Sequence, residues 1–313
     1  MPTMKAIRIH GYGGPDVLVY EDAPRPDPGA GEVLIRVYAT SVNPFDCAVR
    51  AGYMSGYIQY TLPLILGTDV SGVVEAVGPG VTNVSPGDAV YTRAGVFRDG
   101  AYAEYALAFA ADVVLKPPSL DHIHAAALPH VTLTAWQALF ELAQLSAGQT
   151  VLIQGAAGGV GHIAVQLAHW RGANVIGTAS INLDLLRELQ VKEAIDYTAT
   201  PFESVVRGVD VVLDTIGGDV QHRSYATLKP GGVLVSTVQP PSEETAQAHG
   251  VRAQFVGASP PVGPTLVTAA GLVAGGQIKP VVSTVLPLAE VRKAHEMIEA
   301  KHTRGKIVLQ VAA

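Results

Sequence analysis

A single cysteine, Cys47, is all the thiol chemistry this chain has. No internal disulfide can form, which excludes a stapled secreted scaffold and fits a reducing compartment. Charge is scarce as well: only 15% of the 313 residues are Asp, Glu, Lys or Arg, and the net charge is −6. No cluster of Lys and Arg forms, so neither nucleic acid nor an anionic membrane is an expected partner. No apolar run reaches the length of a membrane span. The N-terminus lacks the basic-then-apolar pattern of a secretory signal. A cytoplasmic protein is the expectation. Neither a short-period repeat nor a low-complexity segment occurs. What the chain does have is apolar mass. Hydrophobic residues make up 48% of it, enough for a well-filled core or a substantial oligomer interface. Its length suits two domains.

The most informative stretch is Val151-Leu152-Ile153-Gln154-Gly155-Ala156-Ala157-Gly158-Gly159-Val160-Gly161. An apolar run ends in a glycine cluster, and Ile163, Ala164, Leu167, Ala168 and Trp170 then follow at helical spacing. A second apolar run, Asn174 to Thr178, comes next. This strand–turn–helix–strand order is the context a dinucleotide fingerprint requires. Backbone N–H groups and the positive end of a helix must reach a pyrophosphate, and side chains would block that approach. The strict G-x-G-x-x-G register falls on Ala156, Gly158 and Gly161, so its first glycine is missing.

An NAD-binding unit places Asp or Glu about 20 residues after the glycine turn, on the ribose 2′-hydroxyl. Here that region reads Gly177-Thr178-Ala179-Ser180-Ile181-Asn182, and no carboxylate occurs before Asp184. A carboxylate would repel a 2′-phosphate, whereas Ser180 and Asn182 offer it hydrogen bonds. NADPH is therefore the expected cofactor. The nearest cation is Arg187. Ser180 and Asn182 also suit the cap of a helix beginning near Leu183, a role compatible with phosphate binding.

Residues 4–115 read as β-rich, with strands at 33–39 and 71–77 set between turns. Pro117-Pro118 marks a change of pattern. Helical segments at about 121–128 and 132–145 lead into strand candidates at 150–155, 174–178, 193–196, 209–214, 232–237 and 252–257. Six strands alternating with helices predict a doubly wound parallel sheet. A helix from about Gly263 to Ala274, an extended stretch from Ile278 to Val285, a helix from Leu288 to Glu299 and a strand from Gly305 to Val311 have no place in that sheet. They are expected to return to the β-rich domain.

Ser41-Val42-Asn43-Pro44-Phe45-Asp46, Leu66-Gly67-Thr68-Asp69-Val70-Ser71-Gly72-Val73-Val74, Gly100 to Tyr105 and Leu133 to Leu139 follow one another in a specific order. Ala156 to Gly161, Asp214-Thr215-Ile216-Gly217-Gly218 and Gly305-Lys306-Ile307-Val308-Leu309 complete the series. In order and spacing these segments resemble the zinc-free quinone oxidoreductase (zeta-crystallin-like) branch of the medium-chain dehydrogenase/reductase superfamily, over nearly the whole chain. The resemblance implies an α/β fold: a Rossmann doubly wound parallel sheet, 125–259, plus a GroES-like β-rich domain, 1–124, completed by 260–313. Zinc-dependent relatives place a Cys where Asn43 stands and a His-Glu pair where Thr68-Asp69 stands, so no metal is expected. His122 and His124, two residues apart, do not share a helix face and read as a solvated surface.

Asn43 is a natural turn residue before Pro44; the resemblance instead puts it beside the nicotinamide. Thr134, near a helix start, is likewise placed near the nicotinamide. Tyr53, Tyr57 and Tyr60 bunch in one loop, and Tyr53 is the candidate proton relay or carbonyl partner; apolar packing of a lid is the competing reading. The expected catalytic set is Asn43, Tyr53 and Thr134. The expected cofactor contacts are Asn43, Thr134, Ala157, Gly158, Gly159, Val160, Ser180, Asn182, Tyr197, Gly217 and Lys306. His130 reads as structural. Cys47 reads as a bystander, because no base partner for it is visible. The implied reaction is hydride transfer from NADPH to a small electrophile, a quinone or an α,β-unsaturated carbonyl, by a homodimer. Two alternatives stand: an enoyl-thioester reductase of the same superfamily, and a non-catalytic NADPH-binding protein.

Overall fold

The computed structural model describes residues 2–257 and 261–312. Its strands, in chain order, are β1 (Thr3–Ile9), β2 (Val19–Pro24), β3 (Glu32–Ser41), β4 (Leu64–Ile65), β5 (Asp69–Val77), β6 (Ala89–Arg93), β7 (Tyr105–Phe109) and β8 (Val114–Leu115). Then come β9 (Thr150–Ile153), β10 (Asn174–Ala179), β11 (Glu193–Asp196), β12 (Val209–Asp214), β13 (Leu228–Ser236), β14 (Arg252–Phe255), β15 (Val282–Pro287) and β16 (Lys306–Gln310). The chain divides into two compact units. The first holds the residues up to His130, Pro261–Ala274 and those from Pro280 onward; the second starts at Val131 and takes back Gly275–Lys279. The domain end expected at residue 259 lies outside the described residues.

In the first unit a seven-stranded sheet runs β15-β16-β3-β5-β6-β8, with β7 also on β3, and a small sheet pairs β2-β1-β4. Alternate residues of β3, Val33, Ile35 and Val37, enter a core shared with Val70, Val74 and Val90. The tail joins this unit by strand pairing: β16 lies antiparallel to β3, with Val308 opposite Ser41. The extended stretch expected from Ile278 starts late, at Val282. Pro280 intervenes, and proline has no N–H to give a ladder.

The second unit is the expected doubly wound sheet. Its six strands run β11-β10-β9-β12-β13-β14, all parallel. β9 is buried at three successive positions, as a strand covered on both faces must be. Strand order reverses between β9 and β12, which makes their carboxyl ends the switch point where such sheets bind ligands. The helix expected over 132–145 differs in its second half: α-helix Pro129–Trp136 passes into a π-helical turn, Gln137–Leu142. Ala143 N–H donates there to Ala138 O. The turn carries Phe140, whose ring meets Trp136 and Trp170 edge to face.

Candidate functional site

At the switch point the glycine turn is complete despite its missing first glycine. Gly155, one residue earlier, supplies the left-handed bend, at φ +67°. Ala156 is fully buried, and its methyl group fits because Gly177 on β10 has no side chain; a Cβ there would come within 2.9 Å of it. Gly161 lets helix Gly159–Trp170 meet the turn, since a Cβ at 161 would lie 2.2 Å from Gly155 O. The N-cap of this helix is Gly158, which has no side chain to cap it. The first-turn N–H groups are therefore left for a ligand. These features suit a pyrophosphate.

Two other strand ends border the same place. Ser180 and Asn182 follow β10, and Asn182 caps helix Leu183–Glu188 by position, but its side chain makes no cap bond. Its carboxamide is not spent on that helix. Tyr197 N–H donates to the carbonyl oxygen of Ala179, the residue before Ser180, and its side chain is exposed. After β12, buried Asp214 accepts from the N–H groups of Ile216 (3.0 Å) and Gly217 (2.8 Å) and fixes that loop. Ala157, Gly158, Gly159, Val160, Ser180, Asn182, Tyr197 and Gly217 thus lie at the carboxyl ends of β9–β12. Thr134, in the same unit, is half-buried on helix Pro129–Trp136.

The first unit gathers a separate polar cluster at the start of helix Pro44–Arg50. Asn43 is its N-cap and is buried. Its N–H donates to Asp46 Oδ2 at 2.8 Å. Its side chain does more than turn the chain. Nδ2 donates to Asp69 Oδ2 (2.8 Å) and to Thr68 Oγ1 (3.3 Å), and Oδ1 accepts from Lys306 Nζ at 2.5 Å. Lys306 also donates to Val42 O (3.2 Å) and Asp69 Oδ2 (3.5 Å), so its three N–H groups all have acceptors within the protein. Asp69 accepts in addition from Ser41 Oγ and from His130 N–H (2.7 Å). The hydroxyl of Thr68 lies 3.3 Å from His130 Nδ1. Burial lowers the Lys306 ammonium, while Asp69 and Asp46 hold it up. Burial drives His130 down to about 4, so its imidazole is neutral at pH 7.

Tyr53 does not join this cluster. It is 78% exposed, whereas Tyr60 donates its hydroxyl to Val96 O. Two expectations need correction. Cys47 does have a histidine partner: its Sγ lies 3.3 Å from His295 Nδ1. His295 lies 248 residues further along, beyond any spacing rule. Arg50 Nη1 also donates to that nitrogen (3.2 Å), which places the ring proton on Nε2, facing the Tyr102 hydroxyl at 3.2 Å. This pair is no nucleophile, because burial pushes the thiol up to about 12. His122, for its part, is not solvated surface. It stacks on Tyr38 at 4.7 Å and meets Ser71 Oγ at 2.8 Å, while His124 bonds Asp121. Among the described residues no three His, Cys, Asp or Glu side chains gather as a metal group, and no helix is long and apolar enough to cross a membrane.

Comparison with known proteins agrees with this architecture. The family model of the alcohol dehydrogenase GroES-like domain matches residues 29–118, and that of zinc-binding dehydrogenases matches 189–309. The chain is 33% identical to the mitochondrial NAD(P)H oxidoreductase RTN4IP1 of Danio rerio, over 99% of this chain and 92% of that protein. It is 34% identical to a 2-haloacrylate reductase of Burkholderia sp, over 96% and 97%. The solved quinone oxidoreductase from Coxiella burnetii superimposes with a TM-score of 0.92 at 36% identity, over 99% of this chain and 100% of that one.

Proposed function

Because the chain belongs to the zinc-free quinone oxidoreductase (zeta-crystallin-like) branch of the medium-chain dehydrogenase/reductase superfamily, we propose that it transfers a hydride from NADPH to a quinone or an α,β-unsaturated carbonyl. The observation that carries this reading is the Asn43–Lys306–Asp69 cluster. Where zinc-dependent relatives hold ligands, this chain has Asn43, Thr68 and Asp69, and their polar atoms are bonded to one another and to an ammonium. Such a donor set suits a fixed internal cation more than a zinc ion. An acceptor polarised by no Lewis acid must be electrophilic already, as quinones and enones are.

NADPH, when bound, supplies the hydride. Gly159 and Val160 would receive its pyrophosphate on first-turn N–H groups, with Gly158, whose own N–H closes the turn onto Gly155 O, and Ala157 and Gly217 beside them. Ser180, Asn182 and Tyr197 would border the 2′-phosphate, and the lack of a carboxylate at that strand end favours it over a bare ribose. Thr134 would line the nicotinamide. Asn43 is a positioning residue in this reading. It would carry the polarity of the buried Lys306–Asp69 pair to Thr68 and the half-buried His130, which would face the oxygen that gains charge. Lys306 acts through Asn43, since its N–H groups are already used. Tyr53 stays outside the chemistry because its ring is mostly solvated. We take the active form to be a cytoplasmic homodimer; the mostly exposed edge strand β14 would offer a second copy a surface to pair with.

The test is NADPH oxidation over a panel of quinones, enones, simple ketones and aldehydes, with titration of both nucleotides. Turnover should be confined to quinones and enones, and NADPH should bind more tightly than NADH. A nucleotide-loaded protein that reduces nothing in the panel would sink the reading. Asn43→Ala should lower kcat by about tenfold or more while the Kd for NADPH moves by less than about threefold. A fall in unfolding temperature with unchanged kcat would reduce Asn43 to a helix cap.

A further inference from the structure

Arg93 ends β6 directly opposite Asp69 on β5. Residues paired this way across antiparallel strands project from the same face of the sheet. Arg93 therefore starts on the face that carries the Asp69 carboxylate, and the neighbouring backbone confirms the closeness: Ala94 N–H donates to Thr68 O at 2.8 Å. Yet no ion pair joins them. Asp69 already accepts from Ser41, Asn43, Lys306 and the His130 N–H, which fills the capacity of a carboxylate. Among the described residues no acceptor bonds the Arg93 side chain, and its Nε atom is buried without a partner. Asp69 and, after it, Asp112 are near enough to support its charge, but neither makes an ion pair with it. Burial accordingly lowers the guanidinium, and its charge is felt at His130. Arg93 as a whole is half-buried, but proteins seldom leave a buried N–H such as its Nε unmatched, since an unsatisfied polar group in the interior is costly. A guanidinium is a planar fork matched to a carboxylate.

We propose that Arg93 docks a carboxylate carried by the acceptor, so that the favoured substrates are α,β-unsaturated carbonyl compounds bearing an acid group. This rests on the hydride-transfer reading above and adds the substrate class to it. The carboxylate would satisfy the buried Nε–H, and the reacting oxygen would be left for the neighbouring Thr68 and His130.

The experiment uses two acceptors that differ in charge, 4-oxopent-2-enoate and its methyl ester, with NADPH and the full chain as wild type, R93Q and R93K. In the wild type kcat/KM for the acid should exceed that for the ester by at least about tenfold. In R93Q the acid-to-ester ratio should fall by about tenfold, through KM and not kcat, and R93K should lie between. An unchanged ratio in folded R93Q overturns the proposal. So does a tenfold rise in the Kd for NADPH with the ratio intact, which would make a nucleotide phosphate the anion. Should R93Q not fold, R93K decides, and an unaltered ratio there overturns it. If the wild type reduces members of the quinone and enone panel but neither of these two, the acid-docking proposal is overturned. If it reduces neither acceptor and nothing in that panel, the hydride-transfer reading fails. The docking group is then tested by calorimetric titration with 4-oxopentanoate, where binding lost in R93Q upholds it and no binding to the wild type removes it.

Discussion

The two ends of helix Pro44–Arg50 face two buried polar clusters of opposite temper. At its start Asp46 and Asn43 face Lys306 and Asp69; at its finish Cys47 and Arg50 face His295, Tyr102 and Glu299. The first cluster buries formal charge and matches it. The second keeps its imidazole neutral and sends its one strong charge, Arg50, outward to Glu299 at 2.5 Å. Both contain a histidine or thiol that a motif search would flag. Only the first leaves a cation nearby with no acceptor. Chemistry follows from the matching of charge around a group, not from the residue type.

The largest test of this contrast is Lys306→Met. It would strand the Asp69 carboxylate in the interior, at a cost of about 3–5 kcal/mol. Denaturant unfolding measures it, and a loss below about 1 kcal/mol would mean that the pair is not the keystone of its cluster.

Next in size is pH dependence, where the two ends should pull in opposite directions. Burial raises Asp46 from the ordinary 3.8 to about 7, so its contribution is fully present below 3.8 and is lost as pH rises to about 7. His295 is lowered from 6.5 to about 3, by burial and by Arg50, so its contribution is full above 6.5 and is lost as pH falls toward 3. Between about pH 4 and 6 the two slopes offset. His295→Gln should expose a stability that falls with rising pH, by up to about 1.4 kcal/mol per pH unit, and Asp46→Asn the reverse. Parallel shifts of the whole curve in both variants would refute the assignment. Lys306 lies against Asp46, and Arg50 and Tyr102 against His295, so these variants are best compared at one ionic strength.

The smallest effect concerns Cys47. With its thiol near 12, the thiolate fraction at pH 7 is ~10⁻⁵. Alkylation of the folded protein should be slow, and Cys47→Ala should keep its turnover. Rapid stoichiometric labelling would show that the second cluster is reactive after all.

Much of the fold was legible because each signal was local. Strands 209–214 and 193–196 end where their apolar runs end, at Asp214 and Asp196. The glycine turn was legible too, though the exchange of roles between Gly155, Ala156 and Gly177 needs two strands side by side. The candidate site was legible only as fragments. Asn43 and Lys306 each stood in a motif, but their bond spans 263 residues, and no periodicity encodes that distance. The same holds for Cys47 with His295. Arg93 carried no motif; its meaning comes from strand register and from the carboxylate opposite being already filled. The π-helical turn after Trp136 had no sequence mark that separates it from an α-helix.

The pairing of β16 with β3 sets an order of events during synthesis. The second unit, nearly all of it one run of chain from Val131, has its strands β9–β14 in hand once Phe255 has left the ribosome. The first unit must wait. Its central strand β3 has an open edge at Ala39–Ser41, and Asp69 lacks its ammonium partner, until Lys306–Gln310 emerge. For that interval a nascent chain carries a partly open strand edge, the kind that invites wrong partners and chaperones. Residues far along the chain close the sheet and neutralise the cluster, so a chain stopped before Lys306 would be both inactive and sticky.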